Sequence, residues 1–171
     1  MVETTRAWED RLAQLWNSLD DLEPGDFVAR IDAMAAELPA GDPIGLFEKG
    51  AARDSTGHPD LAVPLYEAAL DNGLSGIRRR RAVIQMSSSI RNLGDAKRAV
   101  TLLVAELERP NDELDQAVRA FLALALADLG REREALSISL GALSRYLPRY
   151  NRSLARYADA LLEDPQPHGQ R

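Results

Sequence analysis

The sequence predicts an all-α protein, a stack of antiparallel helix hairpins built from about nine helices. Three observations carry this. Apolar residues recur at helical spacing along almost the whole chain, and the alternation a strand needs is nearly absent. Three glycines, Gly57, Gly94 and Gly130, stand 37 and 36 residues apart, and Ala62, Ala99 and Ala135 keep the same spacing. Periods of that size belong to helix-hairpin solenoids.

The elements follow in order. Trp8, Leu12, Leu15, Trp16 and Leu19 make the stripe of a first amphipathic helix. Pro24-Gly25-Asp26 breaks it, and Asp26 is placed to cap a second helix carrying Phe27, Ile31, Met34, Ala35 and Leu38, which Pro39 and Gly41 end. Asp42-Pro43, a cap followed by proline, opens a third helix that runs to about Thr56. Gly57-His58-Pro59-Asp60 turns into a fourth, Asp60 to Asn72, stopped by Gly73. The fifth spans Ser75 to Leu93, the sixth Asp95 to Glu108. The seventh starts near Asp112, with Asp112, Glu113 and Asp115 suited to a helix N-terminus, and ends at Gly130. The eighth covers Arg131 to Tyr146 and the ninth Asn151 to Leu162, with Leu154, Tyr157, Ala158, Leu161 and Leu162 on one side. Residues 164–171 read as a flexible tail.

Aligned on the glycines, the repeat places Leu46, Gly50, Ala62, Tyr66, Ala69 and Leu70 in its first unit. The second holds Val83, Met86, Ser87, Ile90, Ala99, Leu103 and Leu107. The third holds Leu122, Ala123, Leu126, Ala135, Ala142 and Leu143. Gly50, Ser87 and Ala123 are small where a partner helix must press close, and Ala62, Ala99 and Ala135 are the matching small residues on that partner. This pattern resembles the tetratricopeptide repeat (TPR). The resemblance implies a right-handed superhelical α-solenoid in one domain, 1–163: an N-terminal helix pair over 1–41, three repeats over 42–148 and a capping helix over 149–163. Lys49 and Arg53 stand where the family usually has Leu and an aromatic, Ser139 replaces an aromatic, and Glu106 a small residue. Asp54 to Gly57, Gly73-Leu74-Ser75 and Arg91 to Gly94 are similar to small stand-alone bacterial members.

Composition narrows the chemistry. With 171 residues and 45% apolar content a full core is affordable, and the absence of cysteine excludes disulfides, thiolate metal sites and a cysteine nucleophile. His58 and His168 are the only histidines, too few for a multi-histidine metal site, and no cofactor is expected. The longest apolar run, Ala120 to Ala127, is far short of a membrane span, and the first residues lack an apolar signal core, so a soluble, cytoplasmic protein is expected. The net charge of −6 is uneven: residues 1–60 carry −8, 61–110 carry +3 and 111–171 carry −1. An acidic chain is a poor general binder of nucleic acid. Its one basic run, Arg78 to Arg81, spreads around a helix and reads as a solvated helix start; contact with nucleic acid through it, as the helical accessory part of a regulator, is the alternative.

Catalytic constellations are missing. Asp54, Ser55 and His58 lie within five residues across a helix end and cannot converge as a triad; Asp54 and Ser55 read as cap and turn residues, His58 as an exposed loop residue. Gly73-Leu74-Ser75-Gly76 lacks the Lys and the strand of a phosphate loop. Of Ser87, Ser88 and Ser89, one is expected in the core and two on the surface. A non-enzymatic adaptor or scaffold follows. In the family the first helix of each hairpin lines the concave face, which implies a groove containing Phe47 and Asp54, then Arg81, Gln85, Ser88, Arg91 and Asn92. Guanidinium and amide donors suit carboxylates and peptide backbone. Against this stands internal pairing of Arg81 and Arg91 with the acidic first 60 residues. The seventh helix is apolar almost all round and should be covered on every side. Its strip Ala120, Leu124 and Ala127 has no obvious cover, because the ninth helix is expected to cap the stack through Leu154, Tyr157 and Leu161. A homodimer or partner contact through the strip follows, as does a purely structural homo-oligomeric scaffold as a further alternative.

Overall fold

The computed structural model describes residues 4–163. The described residues form nine α-helices and no strand: α1 (Arg6–Asn17), α2 (Pro24–Ala35), α3 (Pro43–Ser55), α4 (Pro59–Asp71), α5 (Gly76–Asn92), α6 (Ala96–Leu107), α7 (Asp115–Asp128), α8 (Glu132–Ser144) and α9 (Asn151–Ala160), with one 3-10 turn, Leu19–Asp21. The expected tail, 164–171, lies outside the described residues. The chain divides into two compact units, Met1–Leu93 and Gly94–Arg171. In the first, α3 packs on α2, α4 and α5; in the second, α7 packs on α6 and α8, and α8 on α9.

The repeat glycines do one job three times. Gly57, Gly94 and Gly130 have φ of 85°, 96° and 72°, a left-handed backbone that glycine adopts without steric cost. At two of them the ending helix closes in the same double hydrogen bond. Gly57 N–H donates to Asp54 O and His58 N–H to Arg53 O; Gly130 N–H donates to Ala127 O and Arg131 N–H to Leu126 O. The next helix therefore starts within three residues and folds back on its predecessor, so α3/α4 and α7/α8 are hairpins.

Small residues set how closely α3 and α4 lie. A Cβ at Gly50 would come within 3.0 Å of the Tyr66 ring and 3.3 Å of Leu65 Cβ. Ala62 beside this contact is fully buried, as are Ala51 and Ala52. The first unit's core continues through Trp8, Leu12, Phe27, Ile31 and Met34, with the Trp8 indole N–H donating to Met34 O at 3.1 Å. Asp42 caps α3, accepting from Ile44 and Gly45 N–H. Asp95 caps α6, accepting from Arg98 N–H.

Several expectations need correction. The second helix begins at Pro24, with Glu23 and not Asp26 at the cap, because proline's fixed φ suits the first helical position. The seventh begins at Asp115, since Asp112 first folds a turn by accepting from Leu114 N–H. Ser87 and Ser89 are both buried. Leu143, expected at a packed position of the repeat, lies 48% exposed on α8. Tyr157 is 60% exposed, with Arg156 over its ring, so α9 seats itself through Ala158 with help from Leu154 and Leu161.

Ala99 is fully buried on α6. An Ala99→Asp variant would bury a carboxylate with no partner and is expected to lose about 3 kcal/mol or more of stability, read by denaturant unfolding. A loss below about 0.5 kcal/mol would mean that the α6 face is open to water.

Candidate functional site: the inner face of the first unit

Within the first unit, α3 and α5 pack together and carry the residues expected to line a groove. Phe47 and Asp54 lie on one, Arg81, Gln85, Ser88, Arg91 and Asn92 on the other. They occupy three depths. Phe47 is fully buried; Asp54, Gln85, Ser88 and Arg91 are half-buried; Arg81 and Asn92 are exposed. The Arg81 guanidinium stands 5.2 Å from the centre of the Phe47 ring, a cation–π contact that holds a charge at the surface on an apolar support. Phe47 in turn touches Tyr66 of α4, ring centres 6.1 Å apart.

Beneath them lies a polar knot. The Asp54 carboxylate accepts from Ser89 Oγ at 2.7 Å and from Tyr66 Oη at 3.4 Å. Burial pushes the Asp54 pKa up against the opposing pull of those two donors. Tyr66, more deeply buried and facing Asp54, has its own pKa pushed well up. The end of α3 is capped by Thr56, whose hydroxyl donates to Ala52 O and Arg53 O, so the cap-and-turn role expected of Asp54 passes to Thr56. Asp54 turns inward because it can reach a donor on each of α4 and α5.

The basic run is not a solvated helix start. Arg78 is bidentate on Glu9 of α1, at 3.0 and 2.5 Å, and its Nε reaches Glu48 of α3 at 3.0 Å. Glu48 is 2% exposed and also accepts from the Trp16 indole N–H at 2.9 Å. Hydrogen bonding to Arg78 holds the Glu9 carboxyl below the usual carboxylate range. Arg80 is buried as well, leaving Arg81 as the exposed member of the run. The internal pairing with acidic N-terminal residues is thus real, but Arg78 makes it rather than Arg81. Arg53, where the family usually has an aromatic, makes a bidentate pair with Asp32 of α2 at 2.9 Å through each nitrogen.

Two groove residues have a buried polar atom that makes no hydrogen bond: Gln85, whose Oε1 is shut off from solvent and accepts none, and Arg91 at its Nε. Arg91 Nη1 donates to Asn92 Oδ1 at 3.4 Å. In the second unit, Ala120, Leu124 and Ala127 share an exposed side of α7, Leu124 at 47%, while Val118, Leu122, Ala125 and Leu126 are buried. His58 is exposed. Among the described residues no three His, Cys, Asp or Glu side chains are grouped to hold a metal ion, and no helix is long and apolar enough to cross a membrane.

Hairpins turned at left-handed glycines and closed over small residues, recurring at 36–37 residues, define an α-helical repeat protein. The family model described as Tetratrico peptide repeat matches residues 43–161, from the first residue of α3 to the end of α9, and the chain belongs to that family. No curated protein and no solved structure matches the chain.

Two stability predictions follow. Arg78→Met leaves Glu48 buried without its cation and is expected to cost about 2–4 kcal/mol, with a good part regained when Glu48→Leu is added. Equal losses in single and double variants, by urea unfolding, would contradict the pairing. Asp54 binds its proton more tightly folded than unfolded, so it withdraws stability as pH rises from the ordinary aspartate value of 3.8 through its raised value. Asp54→Asn should therefore melt higher than the parent at neutral pH, the difference shrinking as pH falls to the usual Asp range. Glu9 has the opposite sign, losing its contribution as pH falls through its lowered pKa, but it is common to both proteins and cancels in the difference.

Proposed function

We propose that this TPR protein is a non-enzymatic adaptor or scaffold that takes a protein or peptide segment on the inner face of its first unit. The TPR family suggests protein-interaction work in general. The observation that supports this face is the buried, unpartnered Oε1 of Gln85 in the row Arg81, Gln85, Ser88 and Asn92. A buried acceptor left empty costs about 1–3 kcal/mol, which a backbone N–H from an extended peptide would relieve. Arg81, held over Phe47, supplies a cation for a carboxylate of the same segment. Phe47 and Asp54 act in this reading from below, by fixing Arg81 and α5. Nucleic acid is disfavoured, because Arg78 is already neutralised by two carboxylates and Arg80 is buried.

Crosslinking and mass spectrometry on protein isolated from its native cell identifies the segment bound. Gln85→Leu and Arg81→Glu are each expected to weaken that binding about tenfold or more, roughly 1.4 kcal/mol, with unchanged helical content. No crosslinked protein, beside turnover of a metabolite, would remove the reading.

The exposed strip Ala120, Leu124 and Ala127 supports a second contact, a homodimer through α7. Sedimentation is expected to show a dimer that Leu124→Glu converts to a folded monomer. A parent protein that is monomeric at high concentration would exclude it.

A further inference from the structure

The second unit holds a cleft of about 330 Å³ bounded by α7, α8 and α9. Its walls join charges of both signs to an apolar side. Arg119 comes from α7, Arg145 from the end of α8, and Asp159 from α9; Ile138, Ala155 and Leu162 supply the apolar surface. No ion pair links Arg119, Arg145 or Asp159 to another described residue. Gln116 lines the same cleft, and its Oε1 is shut off from solvent without a donor.

That set of groups is complementary to a zwitterion. Two guanidiniums with no carboxylate partner call for an anion, and their planar forks fit a carboxylate. Asp159 and the empty Gln116 oxygen call for a donor, best a cationic one. The volume lies at the low end of ligand pockets, roughly 300–1,000 Å³, enough for one small molecule. We infer that this cleft binds a free α-amino acid with an apolar side chain: carboxylate on Arg119 and Arg145, ammonium on Asp159 and Gln116, side chain on Ile138 and Leu162. The site lies wholly in the second unit and does not depend on peptide binding by the first.

Isothermal calorimetry and thermal melting with leucine, N-acetyl-leucine and 4-methylpentanoate test it on the full chain. Leucine is expected to bind and raise the melting temperature. N-acetyl-leucine and 4-methylpentanoate, which keep the carboxylate and the side chain but lack the ammonium, are expected to bind at least tenfold more weakly. Arg145→Gln, at an exposed helix end, should weaken leucine binding about tenfold without changing the melting temperature of the unliganded protein, and Asp159→Asn should do the same. Equal binding of N-acetyl-leucine would overturn the zwitterion assignment in favour of a peptide C-terminus. No binding of leucine, or binding unchanged in both variants, would overturn the site.

Discussion

A carboxylate buried in an apolar helix face is tolerable only if charge and hydrogen bonds meet it there, and Glu48 is such a group. Its two partners, the Trp16 indole and the Arg78 guanidinium, come from α1 and α5, so neither helix can shift along α3 without stranding the charge. Arg78 extends the link to Glu9, two turns before Trp16 on α1. Trp16 is itself fixed, its ring edge-on to Phe27 at 5.0 Å. The polar anchor is thereby joined to the apolar core of the first unit. The consequence for the inner face is direct: with Arg78 and Glu48 in register, Arg81 one turn on meets Phe47, the neighbour of Glu48.

The hairpins themselves were legible in the sequence, because their determinants are local. A glycine that must take positive φ, a cap residue such as Asp42 or Asp95 and the apolar stripe of a helix are all visible within a few residues. The spacing of Gly57, Gly94 and Gly130 added the period. Small residues at Gly50 and Ala62 were identified from the repeat, and at Gly50 the structure gives the reason: the Tyr66 ring leaves no room for a larger residue. Where the reading slipped, at the start of α2 and of α7, two competing caps lay within a few residues of each other and sequence alone gives no ranking.

The polar interior was much less legible, since each of its bonds joins residues far apart in the chain. Ser89 and Asp54 are 35 residues apart, Arg78 and Glu9 69. Periodicity assigns a residue to a face of its own helix but not to a partner on another. One signal was present for Glu48: it sits among Ile44, Phe47, Ala51 and Ala52 on the apolar side of its helix, a charge in a place where an apolar residue is usual. Arg53 and Glu106, departures from the family pattern, are signals of the same kind. The first answers Asp32 and the second is buried.

Regional charge also takes on a different meaning once the pairs are known. The acidic first 60 residues and the basic stretch after them look like opposite surfaces awaiting partners, yet part of that contrast is consumed in joining α1 to α3 and α5. Charge used in this way fixes the position of helices and attracts little from solution, because each desolvated group is already met. What remains for recognition are groups whose demand the fold leaves open: Gln85 with its empty oxygen and Arg81 at the surface in the first unit, Gln116 with Arg119, Arg145 and Asp159 in the second. Net charge by segment would have pointed to the four-arginine run. The buried polar atoms that make no hydrogen bond, Gln85 Oε1 in the first unit and Gln116 Oε1 in the second among them, are the more specific guide, because an unsatisfied buried polar group is the costlier irregularity and so the better sign of an absent ligand.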